Sequence, residues 1–482
     1  MGKAVENAGA PRLESVLLAF GLAFPFLILR LANVFHYDDM RIFVEWADCW
    51  KADARHVYGL CPSANYPLVG TFFSAGVIAG LREVFHLDDV EEIARYYRLV
   101  LACFDAANFV LLALIGRALG LRHAVALALA IELLPSTWAG GEVWGQIDTI
   151  SQFFLLASLH GLMRAWQLAG AAQTRDRAKA QAHFLVGLCA LALCALTKQL
   201  AIFSIVAMAP LAAAALWRLG AASKRALALG AVAVALAGAL LLWLDRQADI
   251  PGYFGSSFLY VWFGGGSHHG RILTGNGFNI WVFLGRDMAS SSDDPFLNLS
   301  LFGRAVSLTP RVAGFALYGL YALGAGALLA RFCWRAAADA ESSRRFLAGC
   351  LLLVALMNLG FNLFLTGTHE RYLYHFYPFA LLAAAVLAPR GARAATIGCY
   401  LSAGTLYGLF VLSIIQELPE LLARLVRPEV LAGLHLAVLL SLAALVRRAT
   451  VPTRPPWRLP PRAADIVMAP AGARSPASKN SL

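Results

Sequence analysis

The chain of 482 residues is 59% hydrophobic and 14% charged, whereas soluble globular domains carry about 25% charged residues. That balance excludes a soluble enzyme of two or three domains and predicts one membrane-embedded body with no separate catalytic domain. The formal net charge of +11 reads as membrane topology and excludes nucleic acid as a partner, because Lys and Arg fall on one side of the plan that hydropathy sets.

A bilayer core of about 30 Å takes about 20 apolar residues per helix. Residues 1–12 are expected to be a cytoplasmic N-terminus. The first apolar run, 13–34, is interrupted by Pro25 and Arg30 and lacks a small-residue cleavage site, so it is expected to stay as the first helix. Further spans are predicted at 96–116, 123–138, 149–166, 183–197, 199–217, 225–244, 311–331, 346–365, 373–388, 394–415 and 430–446, giving about twelve in all. The apolar stretch 68–85 is expected to lie along the outer interface. With that choice 24 of the 40 basic residues fall inside and 21 of the 29 acidic residues fall in external loops; as a true span it would invert everything after it. Both termini are then cytoplasmic. The transmembrane body runs over 13–446, with large external loops at about 35–95 and 245–310, and residues 447–482 form a basic tail expected to be disordered.

Cys103, Cys189, Cys194, Cys350 and Cys399 lie in apolar runs and read as small buried hydrophobes. Cys49 and Cys61 share the first external loop, where a disulfide can form in an oxidising compartment.

Polar residues concentrate at the external ends of the spans. His36-Tyr37-Asp38-Asp39 follows the first helix, and a carboxylate partly desolvated at the membrane boundary can serve as a general base. The same two Asp could instead cap the amphipathic segment that follows. Trp144-Gly145-Gln146-Ile147-Asp148 gives the next turn a polar face suited to a hydroxylated ligand, or an N-cap for the helix beyond. Lys198-Gln199 interrupts an apolar run, and a cation at that depth either meets a partner such as phosphate or snorkels to the interface. His369-Glu370-Arg371-Tyr372 places four hydrogen-bonding side chains in a row, with an Arg fork suited to phosphate oxygens. In the second large loop, 264–270 reads Gly-Gly-Gly-Ser-His-His-Gly. Without Cys or carboxylate at ligand spacing, it suits a glycine-hinged lid better than a metal site.

The series Asp39-x3-Phe43-x2-Trp46-Ala47, Tyr66-Pro67, Trp144-Gly145-Gln146-x-Asp148, Lys198-Gln199 and His369-Glu370-Arg371-Tyr372 resembles the GT-C superfamily of membrane glycosyltransferases. The likeness is to bacterial relatives of the second mannosyltransferase of GPI-anchor assembly and to dolichyl-phosphate-glucose glucosyltransferases. It extends over about residues 10–390 and is carried by those five motifs. The resemblance implies an all-α polytopic fold of the GT-C type, with interfacial helices in the first external loop. It implies inverting, metal-independent transfer of one hexose, mannose or glucose, from a polyprenyl-phosphate sugar to a lipid- or glycan-linked acceptor. The donor is a substrate, and no cofactor is expected.

By the same likeness Asp39 would be the base, with Asp38 beside it. Lys198, His369 and Arg371 would hold the donor phosphate; Trp144, Gln146 and Asp148 would line the sugar or acceptor side. Tyr66, Gln199, Glu370 and Tyr372 complete the expected binding set. The chain departs from its relatives at Asn65-Tyr66-Pro67-Leu68, where many have Asp-Tyr-Pro-Pro, and at Lys198-Gln199, where many have an intervening proline. The first change removes a carboxylate and bears on the acceptor. The Ala-rich, Arg-over-Lys composition points to a bacterial inner membrane with the site facing the periplasm. A lipid or polysaccharide transporter is the competing class, but it would require inverted repeats that the chain does not display. An enzyme transferring a whole glycan would call for a large soluble domain or a metal-binding carboxylate set.

Overall fold

The computed structural model describes residues 6–32, 34–54, 57–61, 63–169, 174–220, 271–301, 304–333 and 340–450. The glycine-rich segment 264–270, the span expected at 225–244 and the tail beyond 450 lie outside them. Helix α1 (Glu6–Leu31) leads to α2 (Tyr37–Ala52), a short α3 (Val57–Leu60), α4 (Leu68–Phe85) and α5 (Val90–Ala118). Then come α6 (Ala124–Glu132), α7 (Pro135–Trp138), a π-helical turn (Ala139–Trp144), α8 (Asp148–Ala169), α9 (Thr174–Thr197) and α10 (Ile202–Leu219). After strands β1 (Thr274–Gly275), β2 (Leu297–Leu301) and β3 (Arg304–Leu308) follow α11 (Pro310–Cys333), α12 (Ala340–Phe364), β4 (Thr368–His369), α13 (Tyr377–Leu387), α14 (Arg393–Ile415), α15 (Glu420–Leu425) and α16 (Pro428–Thr450).

Among the described residues eight helices are long and apolar enough to cross a membrane, or nine if the bent pair Ala124–Glu132 and Pro135–Trp144 counts as one broken span. The chain is therefore a helical protein of polytopic membrane type, and among the described residues two of the expected twelve spans take another form. The 123–138 reading is broken by a 64° bend, where Pro135 opens α7. The 373–388 reading shrinks to the 11 residues of α13, about 16 Å of helix against a core of about 30 Å. Its N-terminal part is a run of turns instead, with Tyr374 N–H bonded to the Arg371 carbonyl and Leu373 N–H to the Tyr407 hydroxyl. Helix α4 passes the same test of length and apolarity as the spans, and it packs on α2, α5 and α9.

Helix α12 is buried along its whole spanning window, as an all-round apolar helix should be, and it packs on α10, α11, α13 and α16. Around it and α5, α8 and α14 lies the larger apolar core. A second core, with Met40, Phe43, Trp46, Tyr66, Tyr97 and Ile147, joins α2, α4 and α5. Helix α5 starts sharply because the Asp89 carboxylate accepts the Glu91 and Glu92 N–H groups at 3.0 and 3.2 Å. Cys49 and Cys61 form a disulfide between α2 and the residue after α3. Cys194 and Cys350 are buried as expected, whereas Cys103, Cys189 and Cys399 are exposed on the outward sides of α5, α9 and α14. An apolar exterior accepts a small thiol as readily as a core does.

Candidate functional site

A cavity of about 630 Å³ lies where the two cores meet, and Asp39, Tyr66, Trp144, Gln146, Lys198, Gln199, His369, Glu370, Arg371 and Tyr372 all line it. Five motifs spread over more than 300 positions of sequence thus converge on one space. Asp38 does not line it; it is exposed in the first turn of α2. Asp148 also stands behind the wall, 5% exposed, with both carboxylate oxygens 2.7 Å from Lys198 Nζ.

Asp39 is placed by two elements. Helix α2 is capped by His36, whose Nδ1 accepts the Asp39 N–H at 3.3 Å, so neither Asp38 nor Asp39 is the N-cap. The same nitrogen stands 3.7 Å from Asp39 Oδ2. The His36 ring stacks on Trp144, with centroids 4.6 Å apart. Trp144 Nε1, at the end of the π-helical turn, and Gln146 Nε2, two residues on, both donate to Asp39 Oδ2, at 2.6 and 2.5 Å. Two donors on one oxygen fix the plane of the carboxylate and leave Oδ1 for a ligand proton. Gln146 is itself oriented, since its Oε1 accepts the Tyr66 hydroxyl at 2.5 Å.

Gly145 has φ of +90°, a left-handed conformation that glycine adopts without strain. A Cβ there would stand 2.8 Å from Met40 Sδ. This glycine therefore lets α2 and the 144–146 turn approach closely enough for the Asp39 contacts.

Each cation in the cavity wall already has a carboxylate. Lys198, 3% exposed, pairs with Asp148 and stands 5.4 Å over the Tyr66 ring. Burial pulls its ammonium down from the usual range, and Asp148 opposes that pull. Two of its three N–H donors serve Asp148, leaving one. Arg371 Nη1 bonds Glu370 Oε1 at 2.6 Å, while its buried Nε makes no hydrogen bond. Burial would push the Glu370 carboxyl up, but Arg371, and next to it His369, hold it down to about 2. His369 sits where the second large loop puts it. Strand β1 pairs in parallel with β4, and a Cβ on Gly275 would come within 2.7 Å of the imidazole. The buried Asn279 amide locks that junction by donating to Leu273, Leu365 and Thr368.

The far end of the cavity is apolar. Leu200 just before α10 and Ile202 and Phe203 at its start line it together with Phe361 of α12 and Ile414 at the end of α14. Phe203 and Phe361 stack at 4.0 Å. Ile202 and Ile414 are 37% and 36% exposed and mark where this end reaches the surface. The space therefore combines an anchored carboxylate, compensated cations with spare N–H donors, and an apolar mouth between two membrane-type helices.

Sequence reasoning did not single out His36, Asn276 or Arg98 as site components. Nor did it weigh Asp105 and Glu132, which are fully buried, as is Glu142 of the 139–144 turn, a member of the second acidic stretch of the sequence. Asp105 Oδ1 accepts from Asn108 at 3.1 Å, from Tyr374 at 3.0 Å and from the Thr149 hydroxyl. The legible signal for Arg98, Asp105 and Glu132 was an ionisable residue inside an apolar run. No group of three or more His, Cys, Asp or Glu among the described residues is arranged to hold a metal ion. No family model matches the chain, and neither a curated protein nor a solved structure matches it.

Proposed function

We propose that this protein is an inverting membrane glycosyltransferase of the GT-C type that takes a hexose from a polyprenyl-phosphate sugar. The observation that carries the reading is the Asp39 carboxylate, held by Trp144 and Gln146 at a cavity whose other walls are cationic and apolar. An amphiphilic donor suits that polarity: its chain lies along Ile202, Phe203, Phe361 and Ile414, and its phosphodiester meets Arg371, His369 and the third N–H of Lys198. Charge compensation by Glu370 and Asp148 keeps these cations ordered before a ligand arrives, which limits the reorganisation needed on binding.

In the proposed step the acceptor O–H gives its proton to Asp39 Oδ1 as its oxygen attacks the anomeric carbon. The bond from that carbon to the phosphate oxygen breaks, and the lipid phosphate leaves with the electron pair. Its developing charge is met by Arg371 and Lys198. Attack opposite the leaving group inverts the anomeric centre. The acceptor is lipid- or glycan-linked, and no step passes through a metal. The site faces the periplasm of a bacterial inner membrane, with both termini cytoplasmic and α4 along the outer interface. The Cys49–Cys61 disulfide accords with an oxidising compartment on that side.

The test is binding and turnover of short-chain polyprenyl-phosphate sugars by the protein in nanodiscs. Asp39→Asn is expected to keep donor binding and abolish transfer, and His369→Ala to weaken binding. If no such donor binds, or if Asp39→Asn transfers at the wild-type rate, the reading fails and transport moves to the front.

A further inference from the structure

Arg98 does not line the cavity, yet it touches both backbones that build the Asp39 contacts. It lies on α5, 4% exposed, within an apolar helix where an unpaired guanidinium would be costly. Its Nη1 donates to the Val34 carbonyl at 2.7 Å and to the Glu142 carbonyl at 3.0 Å, while Nε donates to Ala94 at 3.3 Å. Val34 stands two residues before His36, the cap of the helix that presents Asp39. Glu142 stands two residues before Trp144, the indole that holds Asp39. One nitrogen therefore clamps the two segments at a fixed separation. The fit is close on both sides, since the Arg98 guanidinium lies 5.5 Å from the Phe35 ring centroid, and a Cβ on Gly145 would be 3.7 Å from Arg98 Cγ.

We infer that Arg98 is a positioning residue: it sets the register between the start of α2 and the 144–146 turn, and through it the Trp144–Asp39 hydrogen bond. Its effect on turnover rests on the assignment of Asp39 as the base. Its effect on geometry does not. A neutral side chain at 98 leaves both carbonyls without their shared donor and lets the segments shift. A displacement of about 1 Å at a reacting group lowers turnover by about 100-fold.

The experiment follows the Trp144 indole N–H by NMR in ¹⁵N-Trp-labelled protein in nanodiscs, assigned by its loss in Trp144→Phe. Arg98→Met and Arg98→Lys are compared with Arg218→Met, which removes a guanidinium stacked on Trp166 away from the site. Arg98→Met is expected to move the Trp144 resonance upfield. It should also lower kcat with a polyprenyl-phosphate sugar about 10- to 100-fold with little change in KM, while Arg98→Lys falls between. Arg218→Met should leave the Trp144 resonance in place at a comparable loss of thermal stability. An unmoved Trp144 resonance in Arg98→Met, or an equal shift in Arg218→Met, overturns the inference. Should Arg98→Met not fold, Arg98→Lys decides by the same criterion. If the wild type transfers no such sugar, the function reading falls while the resonance still decides the role of Arg98.

Discussion

Trp144 donates its indole N–H to Asp39 Oδ2 at 2.6 Å, joining residues 105 positions apart. With Gln146 on the same oxygen, the contact turns a surface-helix aspartate into a fixed group at the wall of a cavity. The chemistry proposed for the protein depends on it more than on any other pair.

Trp144→Phe is therefore expected to retain fold and donor binding and to lose rate. A hydrogen bond to a charged group is worth about 1.5–3 kcal/mol, so kcat should fall roughly 10- to 100-fold. Single-turnover transfer, with donor binding measured in parallel, checks this; unchanged turnover would remove Trp144 from the machinery.

Tyr66→Phe removes only the hydroxyl that orients Gln146. A neutral hydrogen bond contributes about 1 kcal/mol, and the expected result is a rate loss of about fivefold. The aromatic ring beneath Lys198 is kept, so thermal stability should change little.

Lys198 and Asp148 form a pair closed off from solvent. Lys198→Met or Asp148→Asn leaves one buried charge alone and should destabilise the protein by about 3–5 kcal/mol. The double substitution should recover part of that loss. Thermal unfolding of the four proteins in one detergent gives the coupling energy, and strict additivity would contradict the pairing.

Acidification should destabilise the protein in two windows. Burial, against the pull of Asp148 and with the push of Lys198, holds buried His375 down to about 4, below the ordinary value of about 6.5. Between those values the unfolded chain binds the proton more readily, so stability is complete above pH 6.5 and declines as pH falls toward 4. The loss is roughly 3 kcal/mol, and His375→Gln should flatten this part of a melting-temperature profile. Glu370 acts lower: its stabilisation is present above the ordinary carboxyl range and is lost as pH falls toward 2.

Transfer should persist after exhaustive treatment with a chelator. Loss of activity with EDTA, restored by one divalent ion, would require a metal step that the proposal does not contain.

The apolar helices were legible because their length answers to bilayer thickness, a constraint that acts on each segment separately. The five motifs were legible for a related reason, since each is a polar interruption at the end of an apolar run. Local pattern failed where tertiary contacts outweighed it. The run 373–388 has the composition of a span, yet its first part is drawn into turns by the Arg371 carbonyl and the Tyr407 hydroxyl. Motif spacing picked Asp39 over Asp38, but only the fold of α2 turns Asp38 outward and brings Asp39 to Trp144.

By itself the sequence determined a helical membrane body, the polar residues at the ends of its helices, and the residue types available for chemistry. Only the tertiary structure decided that Lys198 is satisfied by Asp148, that the 271–284 loop seats His369, and that Arg98 bonds the Val34 and Glu142 carbonyls together. The physical reason is range. Hydropathy is a property of a segment of about 20 residues, whereas a hydrogen bond depends on tenths of an ångström between atoms that the chain separates by 44 to 107 positions.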